Sequence, residues 1–131
     1  MPDNNTREDL AKYRLEMSDE HMKSAKALLD IGSYKDSIGR SYFAMFSAVR
    51  ALLALDAVDF SKHSGVISYF QKEYIKTGKM EVKYSKSLSQ AFQIRNNADY
   101  QDFFVVSRKD AEEQFERAEE FLNAVKLLFD P

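Results

Sequence analysis

The chain is predicted to be an all-α protein, an antiparallel bundle of four main helices with one short extra helix, and three observations carry that prediction. Its two prolines stand at positions 2 and 131, and there are only four glycines, so the interior holds few helix breakers. Apolar residues recur at steps of three and four along nearly the whole chain, the period of one helix face. With 131 residues and no repeat, low-complexity tract or linker, residues 1–131 read as one domain. A domain of that size buries roughly two-thirds of the surface its unfolded chain exposes.

The first helix is predicted to run from Thr6, whose hydroxyl can cap the turn containing Glu8 and Asp9, to Gly32, a glycine suited to a positive-φ stop. Its stripe is Ala11, Leu15, Met22, Ala25 and Leu29, with His21 flanking it as a seam histidine. The second, Lys35 to Leu55, is the most apolar and so the central one, carrying Ile38, Tyr42, Met45, Phe46, Val49, Leu52 and Leu53. Ser37, Ser41, Ala44, Ala48 and Ala51 add a narrow strip that lets another helix approach, either within the bundle or across a dimer axis. Arg40 and Arg50 fall off this strip, as solvated cations or as anion ligands.

A loop from Asp56 to Ser64 leads into the short helix of Val66, Ile67, Phe70 and Tyr74, with His63 at its start. There the imidazole can cap a backbone group or act as a general base. Thr77-Gly78-Lys79 turns the chain into the helix that bears Arg95. An irregular link, 101–106, places Phe103 and Phe104 to plug the bundle's end. Ser107 and Asp110 then form a capping-box-like start for the last helix, striped by Ala111, Phe115, Ala118, Leu122, Val125 and Phe129.

Composition excludes several kinds of function. Without cysteine there are no disulfides, thiolate metal sites or cysteine nucleophiles, and no residue pattern calls for a metal or a cofactor. A net charge of -2 and a pI near 5.7 argue against gripping nucleic acid with the whole surface, though not with a local groove. No apolar run is expected to reach the ~20 residues of a membrane span, and the polar start, Met1 to Thr6, is no export signal, so the cytoplasm is expected.

Arg95 is the most informative side chain. Tyr84, Leu88, Ala91 and Phe92 share a helix face whose continuation reaches Arg95 and then Asp99. Because a buried, unpaired guanidinium is strongly unfavourable, Arg95 either pairs with Asp99 one turn on or faces a wet groove that binds an anion.

Four segments in this order and spacing resemble the HEPN domain family, in its small prokaryotic branch, over nearly the whole chain. They are Ala11-Lys12-Tyr13-Arg14-Leu15, Arg40-Ser41-Tyr42-Phe43-Ala44-Met45-Phe46, Lys62-His63-Ser64-Gly65-Val66, and Arg95 to Tyr100 followed by Asp102-Phe103-Phe104. The resemblance implies a four-helix antiparallel bundle, usually a homodimer, frequently partnered by a minimal nucleotidyltransferase in a toxin-antitoxin pair. For many members it also implies metal-independent RNase activity. The signature is an arginine, a polar residue next to it, and a histidine five positions after the arginine, lining a groove at the dimer interface. Arg95 and Asn96 match, while Tyr100 stands where the histidine belongs.

On this resemblance Arg95, Tyr100 and His63 are the candidate catalytic residues, and Arg95, Asn96, Asp99 and Arg40 the candidate RNA or nucleotide contacts. Arg95 can stabilise a crowded phosphorane. Tyrosine, with a reference pKa near 10, is a better donor than base, and His63 can replace the missing imidazole if its loop folds over the motif. An unbroken helix would put Arg95 and Tyr100 about 140° apart, so joining them at one phosphate needs a break near Ala98 or a second subunit. The alternative is a non-catalytic helical module that scaffolds a nucleotidyltransferase. A third reading makes Tyr100 the transferase's substrate.

Overall fold

The computed structural model describes residues 4–129. Among them run α1 (Asn4–Asp30), α2 (Tyr34–Leu55), α3 (His63–Phe70), α4 (Val82–Tyr100) and α5 (Arg108–Phe129), with no strand. The all-α expectation holds, and α3 is the short extra helix, continued by a wider π-type turn at Gln71–Ile75. The backbone of Asn4 and Asn5 is already helical, so Thr6 lies inside the first turn of α1 rather than ahead of it.

The α1–α2 connection is tight for a reason visible in its hydrogen bonds. Gly32, at φ +83°, turns the chain so that its N–H reaches Leu29 O at 3.1 Å and the Ser33 N–H reaches Leu28 O at 2.8 Å, capping two orphan carbonyls. The end of α2 repeats this with Ala57 and Val58, which bond to Ala54 O and Leu53 O. There Ala57 takes the positive φ, at 59°.

The strip Ser37, Ser41, Ala44, Ala48 and Ala51 is wholly buried, which settles its role as packing inside the bundle. The Ser37 hydroxyl donates to Ala25 O at 2.8 Å across the α1–α2 seam. Antiparallel seating is fixed by cross-pairs running in opposite order: Arg14 Nη1 donates to Arg50 O at 2.9 Å, and Arg40 meets His21. The main core gathers Tyr42, Met45, Val49, Leu52, Phe70, Leu88, Phe121 and Val125. By length and composition α2 could cross a membrane, which corrects the expectation that no segment would; most of it is buried in the bundle, as in the core helix of a globular protein.

A second cluster closes one end with Leu29, Ile38, Ala98, Val106 and Ala111, and half-buried Phe104 packs on it. Phe103 does not. Its φ of +62° turns the side chain outward, leaving it 99% exposed, so one phenylalanine plugs the end instead of two. Ser107 and Asp110 make the expected reciprocal cap: the Asp110 N–H reaches Ser107 Oγ at 3.0 Å, and the Ser107 N–H reaches Asp110 Oδ2 at 3.1 Å.

The 56–62 loop is held from several sides. Asp56 Oδ2 accepts from Tyr69 and Tyr74 hydroxyls at 2.9 and 2.8 Å, and Asp59 Oδ2 sits 3.6 Å from both Arg14 and Arg50. Phe60 lies against the first turn of α3 where Gly65 has no side chain; a Cβ there would stand 3.0 Å from Phe60 Cβ and Cγ. Gly65→Ala is therefore expected to displace Phe60 and destabilise the fold by about 1–3 kcal/mol, read as a lower urea midpoint at unchanged m-value.

Candidate functional site

Helix α4 places Leu88 and Ala91 in the core and then carries the same face on to Arg95. Arg95 Nε lies 3.0 Å from Asp99 Oδ2, so the ion pair one turn apart forms. It does not enclose the guanidinium. Arg95 keeps 20% of its side chain exposed, and its guanidinium carbon lies 5.0 Å from the Phe43 ring centre and 5.9 Å from that of Tyr42. A planar cation held by one carboxylate and two ring faces still has N–H donors to offer.

Those donors border a cleft of about 410 Å³ lined by Leu28, Lys35, Asp36, Gly39, Arg40, Phe43, Arg95 and Asp99. Three cations face two carboxylates there, and each carboxylate is engaged: Asp99 by Arg95, and Asp36 as acceptor of the Ser33 hydroxyl at 2.9 Å. Arg40 Nη1 lies 3.4 Å from His21 Nδ1, a contact that requires Nδ1 to accept and Nε2 to carry the hydrogen. Burial and the neighbouring Arg40 charge push the His21 imidazole below its ordinary pKa, which keeps it neutral beside the arginine. Gly39 has nothing within 4 Å of an added Cβ, so neither packing nor positive φ explains a glycine there; its visible effect is an emptier cleft.

His63 stands on the other side of Tyr42. Its ring stacks on Phe46 at 4.2 Å between centres, and Nδ1 is 3.5 Å from the Tyr42 hydroxyl. Burial pushes Tyr42 up to about 12, so it stays protonated and can donate to Nδ1. Burial, then Arg95, then Arg50 hold the His63 imidazole below its usual pKa. His63 does not line the Arg95 cleft; it lines a second one of about 420 Å³ with Phe46, Arg50, Asp59, Phe60, Ser61, Lys62 and Val66.

The structure thus brings Arg95, Asp99 and Arg40 to one cleft and leaves the other candidates outside it. Asn96 is half-buried and does not line it. Because α4 runs unbroken through Tyr100, that residue points about 140° away from Arg95 and is 77% exposed. Sequence reasoning missed Lys35, Gly39 and Phe43 as cleft residues and Tyr42 as the bridge to His63. Gly39-Arg40 followed by Phe43 one turn on was the available signal, a small and a charged residue on an otherwise apolar helix.

A family model for the HEPN domain matches residues 11–128. The chain belongs to the HEPN family. It is 32% identical over 126 residues to a UPF0332 protein of Thermotoga maritima, covering 96% of each chain. It is 30% identical over 112 residues to a Methanocaldococcus jannaschii protein named "Putative toxin MJ0142", covering 86% of this chain and 76% of that one. A second protein from that organism, "Putative toxin MJ0605", is 30% identical over 116 residues, 86% of this chain and 83% of its own.

His21 touches the Arg95 cleft through Arg40, His63 lines the second cleft while feeling the charge of Arg95, and these neighbours help set their titration. Both are expected to titrate below 6.5 by NMR. Removing a nearby cation favours the imidazolium, so Arg95→Ala should raise the His63 midpoint and Arg40→Ala that of His21. A His63 midpoint indifferent to Arg95→Ala would mean that the Arg95 charge does not act on this imidazole.

Proposed function

We propose that this HEPN protein is toxin-like and binds RNA phosphates in the Arg95 cleft, cleaving the strand without a metal ion in the cytoplasm. The observation that carries this reading is an arginine tethered by one carboxylate yet bordering a cleft where three cations outnumber two engaged carboxylates. The names of two relatives point the same way. Arg95 would stabilise the developing charge, Arg40 and Lys35 would hold the flanking phosphate oxygens, and Asp99 would keep Arg95 in place at the rim.

In a homodimer, Tyr100 of a second copy would complete the groove from which its own helix turns it away. His63, kept neutral, has the protonation state of a general base, and a strand reaching past Tyr42 would meet it. A minimal nucleotidyltransferase would be the antitoxin partner.

One observation favours a second reading. Tyr100, Phe103 and Val105 are 77%, 99% and 79% exposed at the end of α4, an apolar surface suited to a helical scaffold for the transferase.

Incubating mixed RNA with the protein in excess chelator decides between them. Cleavage is expected, with Arg95→Ala reducing it and weakening RNA binding by about tenfold or more. Equal background from both proteins would remove the enzymatic reading and leave the scaffold. Gly39→Ala separates binding from folding: it should raise stability by about 0.5–1 kcal/mol while weakening RNA binding by narrowing the cleft.

A further inference from the structure

The geometry points to a second, separate anion site in the cleft between α2, the 59–62 loop and the start of α3, built to take the phosphate and base of one nucleotide unit. Its cations are Arg50, Lys62 and, once a phosphate is bound, His63. Asp59 is the opposing carboxylate in the cleft, and it is already shared between Arg14 and Arg50 at 3.6 Å each. Lys62 and Ser61 are exposed and line the cleft, and the N-cap position of α3, Lys62, makes no side-chain capping bond.

The groups packed around His63 are Tyr42, Phe46 and Arg50 from α2, Lys62 and Asp59 from the loop, and Arg95 from α4. Positive charge is in excess among them. After burial itself, the charges of Arg95 and then Arg50 act against the His63 imidazolium. A phosphate dianion would relieve that excess.

Phe60 supplies the rest of the unit. It is 41% exposed, lines the cleft, and is braced from behind by Gly65 and by Tyr69, whose ring centre lies 5.8 Å away. A fixed, half-open aromatic face beside cations is the pairing that stacks a base while its phosphate is held. The α2 residues of the two clefts, Gly39 and Phe43 in one and Phe46 and Arg50 in the other, follow steps of four, three and four, so they share one helix face. From Arg40 to Arg50 is about 15 Å along the axis, about four nucleotides at stacked spacing. The ligand can therefore be a free nucleotide or a strand continuing out of the Arg95 cleft, and the site stands whether or not RNA is cleaved there.

The test follows the two imidazole resonances of the full-length protein by NMR during titration with 5′-AMP, with inorganic phosphate, and with a short single-stranded RNA longer than that span. AMP is expected to move His63 and raise its titration midpoint while leaving His21 in place. Lys62→Glu should weaken this by about tenfold, and because an acidic residue favours a helix start, it does so without unfolding α3. Phe60→Ser should weaken AMP but not inorganic phosphate, and Arg95→Ala, which removes a charge that does not line this cleft, should weaken AMP less than Lys62→Glu does.

RNA that moves both histidines identifies a strand across both clefts, and RNA that moves neither identifies a free-nucleotide site. The inference is overturned if His63 ignores AMP, if Lys62→Glu responds like the parent protein, or if Arg95→Ala abolishes the response. That last result would assign the binding to the Arg95 cleft. RNA cleavage failing in the chelator experiment while His63 still answers AMP would sink the proposed activity and leave this site standing.

Discussion

The close seating of α1 on the small-residue strip of α2 is the constraint from which the rest of the molecule follows. With Ser37, Ser41, Ala44, Ala48 and Ala51 fully buried, α2 commits that side to packing. Its large residues, Met45, Val49, Leu52 and Leu53, fill the core toward α3, α4 and α5. What is left is a narrow face carrying Gly39, Phe43, Phe46 and Arg50, and both clefts open along it. The Ser37 hydroxyl offsets the close approach by bonding a carbonyl of α1, while the buried Ser41 hydroxyl on the same strip has no hydrogen-bond partner.

Arg95 shows how a cation can be paired and still available. Its Nε end is fixed by Asp99 and its plane by two ring faces, which restricts the side chain before any ligand arrives. Preorganisation of that kind lowers the entropy lost on binding, while the open edge keeps hydrogen-bond donors for an anion. Of the two readings offered by the sequence, the internal pair with Asp99 forms, and the same residue still borders a cleft. Asp59 repeats the device between Arg14 and Arg50.

Much of the fold was legible because it rests on local rules. The helix periods, the glycine stop at Gly32 and the Ser107–Asp110 cap all depend on neighbours within a turn or so, and each stands where expected. The Arg95–Asp99 pair was legible for the same reason. Phe103 was misread because hydrophobicity says what a side chain prefers, while a positive φ in an irregular link decided where it points. Arg40 was named beside Arg95 through the resemblance, but the other cleft partners were hidden because they come from α1 and α2, many residues away; no spacing rule joins Leu28, Lys35 and Phe43 to position 95. His63 was flagged as a candidate imidazole, but its alignment by Tyr42 depends on tertiary packing alone.

An acidic chain with two basic clefts is not a contradiction. The run Glu112, Glu113, Glu116, Glu119 and Glu120 lies on α5, and none of these residues lines either cleft. Lys83 and Arg108 neutralise part of that surface through ion pairs of 2.6 Å with Glu120 and Glu112. Charges more than about 10 Å apart across exposed surface are largely screened at physiological salt, so the net value of -2 says little about either cleft. What an anion meets on the α2 face is the local sum, and there Lys35, Arg40 and Arg95 in one cleft and Arg50 and Lys62 in the other outnumber Asp36, Asp99 and Asp59, each of which already has a partner. The uneven distribution of charge thus leaves cations in excess of carboxylates in both clefts of the α2 face while the chain as a whole stays slightly acidic.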